Sequence, residues 1–289
     1  MKNIITITSL LAMGTLAVNA DFVWKGGSTI SQELWQTSSS WTLTGETTFP
    51  TSGTGPGSPD SDAWDKIRIE NASGIIGSLE GWCFKIDLIN TDLTISGLKK
   101  FQGGCSVTIN KDSTLTINSF GASWGNDGGK TTLENYGTFN FQYAKSQGGE
   151  GFDMILGETG IVNFTANNTT DRTSKVASVN AKLGNSGTVT GTAESGNAIV
   201  KRTLVSLGEH VTFDTTETAF SFSSSIDGVS ELKRVNSEEE LKAAGDYFVS
   251  KTADGIFVSY VVPEPSMFGL LAGLGALALV GARRRRKTK

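Results

Sequence analysis

Several residue types are scarce in this chain, and each scarcity excludes something. Histidine occurs once in 289 residues, as His210. A Ser-His-Asp or Cys-His mechanism would have to use it, yet Leu207-Gly-Glu-His-Val-Thr-Phe213 has no nucleophile motif nearby. Cysteine occurs twice, as Cys83 and Cys105, too few for a disulfide-rich scaffold. No CxxC, HExxH or paired Cys/His spacing is present, so no zinc site is expected. Basic residues are outnumbered by acidic ones before residue 283. With Lys2, Glu264 and the six basic residues beyond Ala282 set aside, the body carries about −10. Nucleic acid is excluded as a partner on that ground, because phosphate binding needs grouped Lys and Arg. The expectation is a non-enzyme that needs neither cofactor nor metal.

Proline is also scarce, at 5 residues, while glycine reaches 35 and Ser, Thr and Asn abound. Many turns and many small polar side chains argue for short strands rather than helices. The chain is long enough to bury a sizeable core. Within it, residues 21–62 read as an N-terminal cap followed by a Gly/Pro loop. Trp24, Trp35 and Trp41 supply aromatic packing in the cap, and the Pro50–Asp60 stretch has turn formers and nothing apolar to bury.

Residues 63–235 form the body, and their spacing is informative. Ile67/Ile69, Leu93/Ile95, Leu115/Ile117, Phe139/Phe141 and Val162/Phe164 are apolar-x-apolar pairs recurring every 22 to 26 residues. A second series lies between them: Ile86/Leu88, Val107/Ile109, Leu133 and Ile155. Alternation within each segment means one buried face, and a common period of 20 to 30 residues means stacked coils. The predicted fold is all-β, a single-stranded right-handed parallel β-helix, or solenoid, with caps. Asn and Gly at Asn118, Asn135, Gly137, Asn185 and Gly187 suit its corners. An antiparallel β-sandwich is the alternative, since its strands recur at related intervals. The periodicity weakens after Asn168.

Cys83 and Cys105 lie one repeat apart, so stacking would bring them to about 4.8 Å, near disulfide range. A bridge there would contribute about 3 kcal/mol; two separate buried thiols are the other reading. Trp64, Trp82 and Trp124 are candidate glycan contacts through ring stacking, or else core and cap packing. Glu150, Asp153 and Glu158 cluster in sequence, as do Asp60, Asp62 and Asp65. Paired carboxylates could serve a polysaccharide lyase or hydrolase on a β-helix, although acidic solvated turns are the ordinary reading. Gly125-Asn-Asp-Gly-Gly129 is a weak calcium-loop signal.

Residues 236–262 read as a closing cap. Ser237-Glu-Glu-Glu240 is a capping box for a short helix ended by Gly245. Ala253-Asp-Gly255 then joins two alternating strands as a hairpin.

Both ends carry address information. Residues 1–20 have one basic residue, an apolar stretch and Val18-Asn-Ala20, the pattern of a secretory signal peptide cut between Ala20 and Asp21. Residues 263–289 run from Pro263-Glu264-Pro265 through apolar Met267–Ala282 to Arg283, Arg284, Arg285 and Arg286. Sixteen residues make about 24 Å of helix, a short transmembrane span against a hydrocarbon core of about 30 Å. The basic end stays cytoplasmic and so places the body outside. This tail resembles the C-terminal sorting signal of bacterial PEP-CTERM proteins, with motif, span and basic end in order. The resemblance implies a Gram-negative-type host, export through the Sec machinery and an exosortase that recognises Pro263–Pro265 and cuts near them. It also implies membrane anchoring followed by release to the cell surface or extracellular matrix. The expected function is that of an exported structural protein of surface, biofilm or exopolysaccharide matrix. A carbohydrate-binding adhesin and a polysaccharide-cleaving enzyme are the alternatives.

Overall fold

The computed structural model describes residues 22–44, 49–50, 56, 65–79, 84–98, 105–120, 131–143, 152–166, 172–214 and 219–263. Most of these residues belong to two sheets that face each other across one core. The first sheet takes β1 (Phe22–Trp24), β4 (Asp65–Glu70), β6 (Phe84–Ile89), β8 (Ser106–Ile109), β10 (Thr131–Asn135), β12 (Phe152–Leu156) and β14 (Arg172–Leu183), each beside the next. The second takes β2 (Thr29–Ser31), β5 (Ser73–Leu79), β7 (Asp92–Leu98), β9 (Thr114–Phe120), β11 (Thr138–Tyr143), β13 (Ile161–Ala166) and β16 (Ala198–Leu207). All these neighbours pair in parallel. One strand per sheet per coil, stacked in parallel, is a β-solenoid.

Stacking in register turns the sequence period into buried columns. Ile67, Ile86, Val107, Leu133, Met154 and Val179 stand one above another in the first sheet. Opposite them run Ile76, Ile95, Ile117, Phe141, Phe164 and Leu207. In the middle coils the core becomes aromatic: Phe139, Phe141, Phe152 and Phe164 pack with ring centroids 5.7–6.1 Å apart. Fully burying each such side chain contributes about 1.5–3 kcal/mol.

Two details of the expected pattern change. Ile67/Ile69 pairs with Ile86/Leu88, so it belongs to the first sheet and not with Leu93/Ile95. The matching strand of the second sheet is β5, whose Gly74 and Gly77 dilute its apolar signal. Ile155 faces outward at 38% exposure, while Met154 and Leu156 turn inward, because alternation admits only every second residue to the core.

From β4 to β13 each corner from first sheet to second is short, and it is polar inside. Asn71, Asn90 and Asp112 take left-handed backbone there, with φ of 54°, 47° and 64°. Thr91, Ser113 and Asn135 are buried at successive corners. The Thr91 hydroxyl is shared between the carbonyls of Ile89 (2.9 Å) and Ile69 (3.2 Å), and Ser113 Oγ accepts from Thr91 N (3.1 Å). Asn135 Nδ2 donates to Ile161 O (2.7 Å) while its Oδ1 accepts from Gly137 N (3.0 Å). Each side chain thus ties one coil to the next where backbone pairing bends away.

Among the described residues, antiparallel pairs occur only at the two ends. β3 (Trp41–Leu43) lies antiparallel on β1, and α1 (Gln32–Trp35) precedes it with a Ser31 cap. Trp35 and Trp41 are edge-to-face at 5.0 Å, Trp24 and Trp41 at 4.9 Å. Their indole N–H groups donate to the carbonyls of Pro56, Trp35 and Gly27. The three tryptophans therefore pack together at this end of the solenoid.

At the far end the coil pattern dissolves. β14 is long enough to pair with both β17 (Val211–Asp214) and β18 (Phe220–Ser224), which is why the periodicity fades there. β15 (Thr188–Thr192) folds antiparallel onto β16. β19 (Lys233–Arg234) then leads to the hairpin of β20 (Asp246–Thr252) and β21 (Gly255–Val262), which covers β16. The expected helix at 237–244 is instead one 3₁₀ turn, Glu238–Glu240. Ser237 makes no side-chain cap bond, and the Glu240 carboxylate accepts from Asn236 N at 3.1 Å. Three consecutive like charges in so short a segment, with only Leu241 to bury, cannot propagate a helix.

Candidate functional site

The C-terminal tail leaves the body from β21, so that strand decides how the tail is held. Seven of its eight residues are buried, more than alternation gives. The cause is cover on both faces. Ile256, Val258, Tyr260 and Val262 join the solenoid core, and Val261 joins a second cluster with Ala193, Val235 and Leu241. β21 also has a partner on each edge: β16 from Ser206↔Gly255 to Ala198↔Val262, and β20 from Thr252↔Gly255 to Tyr247↔Tyr260. Just before β20 begins, Gly245 N donates to Val261 O (3.0 Å), so the pairing of β21 on this edge reaches Val261. Pro263, half-buried, follows at once and ends the ladder, since it has no N–H to donate. No spacer separates the packed body from Pro263.

Side chains from neighbouring loops lock the same strand. Tyr260 Oη donates to Ser186 O (2.7 Å), and Ser259 Oγ to Glu238 Oε1 (2.9 Å). Burial pushes the Tyr260 hydroxyl up to about 12, with Arg202 pulling the other way. Glu239, exposed at this end, has its carboxyl held below the ordinary range by the Ser237 hydroxyl.

Beside β21, on β16, a charged side chain is buried in the core. Arg202, 6% exposed on β16, donates through Nη1 to Lys182 O (2.8 Å) and through Nη2 to Gly160 O (2.8 Å) and Gly157 O. These carbonyls belong to the last coil and its corner, so the guanidinium continues the polar stack begun by Thr91, Ser113 and Asn135. Its Nε has no hydrogen-bond partner, and burial pushes its ionisation below the usual arginine range. Glu158 lies nearby, accepting from the Ser225 hydroxyl and pairing with Lys182 Nζ at 3.3 Å. The Ser225 bond, then Lys182, keeps its carboxyl below the ordinary range. This arrangement binds coil to cap. Arg202 was legible as an anomaly: in Ile199-Val-Lys-Arg-Thr-Leu204, alternation places it on the inward face with Val200 and Leu204.

Other expected sites are placed as follows. His210 occupies an exposed turn with φ of 63° between β16 and β17. Asp153, facing outward on β12, accepts from the Ser178 hydroxyl (2.5 Å). Cys105 is buried just before β8, and its carbonyl accepts from Thr132 N (3.0 Å). Cys83, Trp64, Trp82, Trp124, Glu150, the 125–129 loop, Ala20, Asp21, Glu264, Pro265, Met267–Ala282 and Arg283–Arg286 lie outside the described residues. Among the described residues, no group of three His, Cys, Asp or Glu could hold a metal, and no helix is long and apolar enough to cross a membrane.

Residues 261–286 match the family model of the PEP-CTERM protein-sorting motif. No curated protein matches the chain, and no solved structure does.

Proposed function

We propose that this chain is an exported, non-enzymatic surface or matrix protein whose solenoid is delivered by a PEP-CTERM tail. The observation that carries the reading is the matched motif itself, which begins at Val261, inside the last strand of the body. Such a motif points to an exosortase as processing partner and to export and surface sorting. In this reading the Sec machinery exports the chain, and residues 1–20 are removed between Ala20 and Asp21. Met267–Ala282 then holds the protein in the membrane with Arg283–Arg286 on the cytoplasmic side, and the exosortase cuts near Pro263–Pro265. The released body, its coils right-handed as parallel crossovers are, takes its place among extracellular polysaccharide.

The placement of Val261 and Val262 supports a division of labour. They are packed and paired, so a cut beyond them leaves every described strand in place. The test is a chain ended after Val262, produced in a host that has an exosortase. The expected result is a folded body that is neither retained at the envelope nor processed. Unchanged localisation and maturation would overturn the reading.

A further inference from the structure

The two outer faces of the solenoid differ in charge. The strands β4, β6, β10 and β12 of the first sheet carry Lys66, Arg68, Glu70, Lys85, Asp87, Glu134 and Asp153 among their outward residues. Across β5, β7, β9, β11 and β13 of the second sheet the only charged residue is Asp92. For a body with a net charge near −10, one face almost free of charge is a selective feature, since interspersed surface charges are what keep a fold soluble.

That face is also ordered as a lattice. Ile75, Thr94, Thr116, Asn140, Asn163 and Ser206 form one column in continuous register. Asn163 Nδ2 donates to Asn140 Oδ1 (2.8 Å), and Asn140 Nδ2 donates to Thr116 Oγ1 (3.1 Å). The chain of bonds fixes both amides, and each NH₂ keeps a second hydrogen free for a ligand. From β5 to β16 the column spans roughly 24 Å at about 4.8 Å per coil. At its start Ile75 is 62% exposed, an apolar step in a polar row.

We infer that this face binds a neutral, linear polysaccharide laid along the solenoid axis. The partner class follows from what the face lacks and what it repeats. With no basic residue from β5 to β13 and only Lys201 on β16, it does not hold an anionic polymer, and its exposed apolar residues, Ile75 and Ile161, stand in separate coils, so it is no membrane or hydrophobic protein surface. Hydroxyls and amides at a fixed pitch meet a polymer that presents hydroxyls at every unit, and many weak contacts along one chain sum to useful avidity. Backbone groups of these strands are occupied within the sheet, so the side chains do the recognition. The inference deepens the matrix reading above, on which it rests for the partner's presence, but its test is independent of sorting.

The test is co-sedimentation of the full chain with insoluble neutral glycans, namely amorphous cellulose, curdlan, xylan and mannan, and with calcium alginate as the anionic control. Retention on at least one neutral glycan is expected, with none on alginate. Asn140→Lys should weaken binding about tenfold, the loss of one or two hydrogen bonds. Thr108→Lys, outward on β8 of the other sheet, should stay near wild type. Thr165→Lys, exposed on β13, repeats the test should Asn140→Lys melt early by circular dichroism. Retention on no neutral glycan, equal retention on alginate, or equal loss from Thr108→Lys would overturn the inference. So would a dimer of the full chain that Asn140→Lys dissociates, since the face would then serve a second copy.

Discussion

Removing the guanidinium of Arg202 should loosen the joint between the last coil and its cap. Arg202→Met keeps an unbranched side chain of similar reach but deletes the donors to Gly157, Gly160 and Lys182. Gly157 O retains the bond from Gly160 N (3.2 Å), so Gly160 O and Lys182 O bear the loss. Leaving a buried acceptor unpaired costs about 1–3 kcal/mol each. Against that, the substitution relieves the desolvation of a buried cation, a penalty of several kcal/mol that its three charged hydrogen bonds now offset. The balance is a loss of about 2–4 kcal/mol. For a domain of this size each kcal/mol moves the melting temperature by about 2–4 °C, so a fall of roughly 4–16 °C is expected. Thermal unfolding of the full chain followed by far-ultraviolet circular dichroism reads it directly. Arg202→Lys, which keeps the charge and three donors on a more compact head, should fall between wild type and Arg202→Met. If Arg202→Met melts with the wild type, the guanidinium does not tie coil to cap and the assignment is wrong.

Two further expectations concern the same joint and the corners before it. A Cβ at Gly137 would fall on the backbone carbonyls of Ser113 and Asn110. Gly137→Ala should therefore lower stability by about 1–3 kcal/mol in urea titration; an unchanged midpoint would mean that the corner yields. Glu158 has its carboxyl lowered, chiefly by Ser225, so it contributes stability above its unfolded value of 4.5 and loses it as pH falls through the folded one. Glu158→Gln should melt below wild type at pH 7, with the gap closing below pH 4.5 and shrinking in high salt. A gap that is constant from pH 7 to pH 3 would count against this account.

Much of the body was readable because stacked coils copy local pattern into tertiary structure. Leu93/Ile95, Leu115/Ile117, Phe139/Phe141 and Val162/Phe164 announce both their spacing and their inward face, and the structure pairs them in that order. Where the pattern is thin, at Gly74 and Gly77 of β5, the first coil is read out of phase. Ile155 misleads for a related reason: three apolar residues in a row, Met154 to Leu156, leave two registers open, and neighbours choose between them.

The tail motif and the acidic balance of the body were determined by the sequence alone, because both are properties of residues in a row. The tertiary structure decided what depends on partners distant along the chain. It packed Val261 and Val262 into a strand held on two edges, so that the sorting motif begins within the fold. It paired Arg202 with carbonyls 20 to 45 residues away. It gathered Thr94, Thr116, Asn140 and Asn163 into one column. Each of these requires loop closure across whole coils, and only the register of the assembled sheets fixes which side chains then meet.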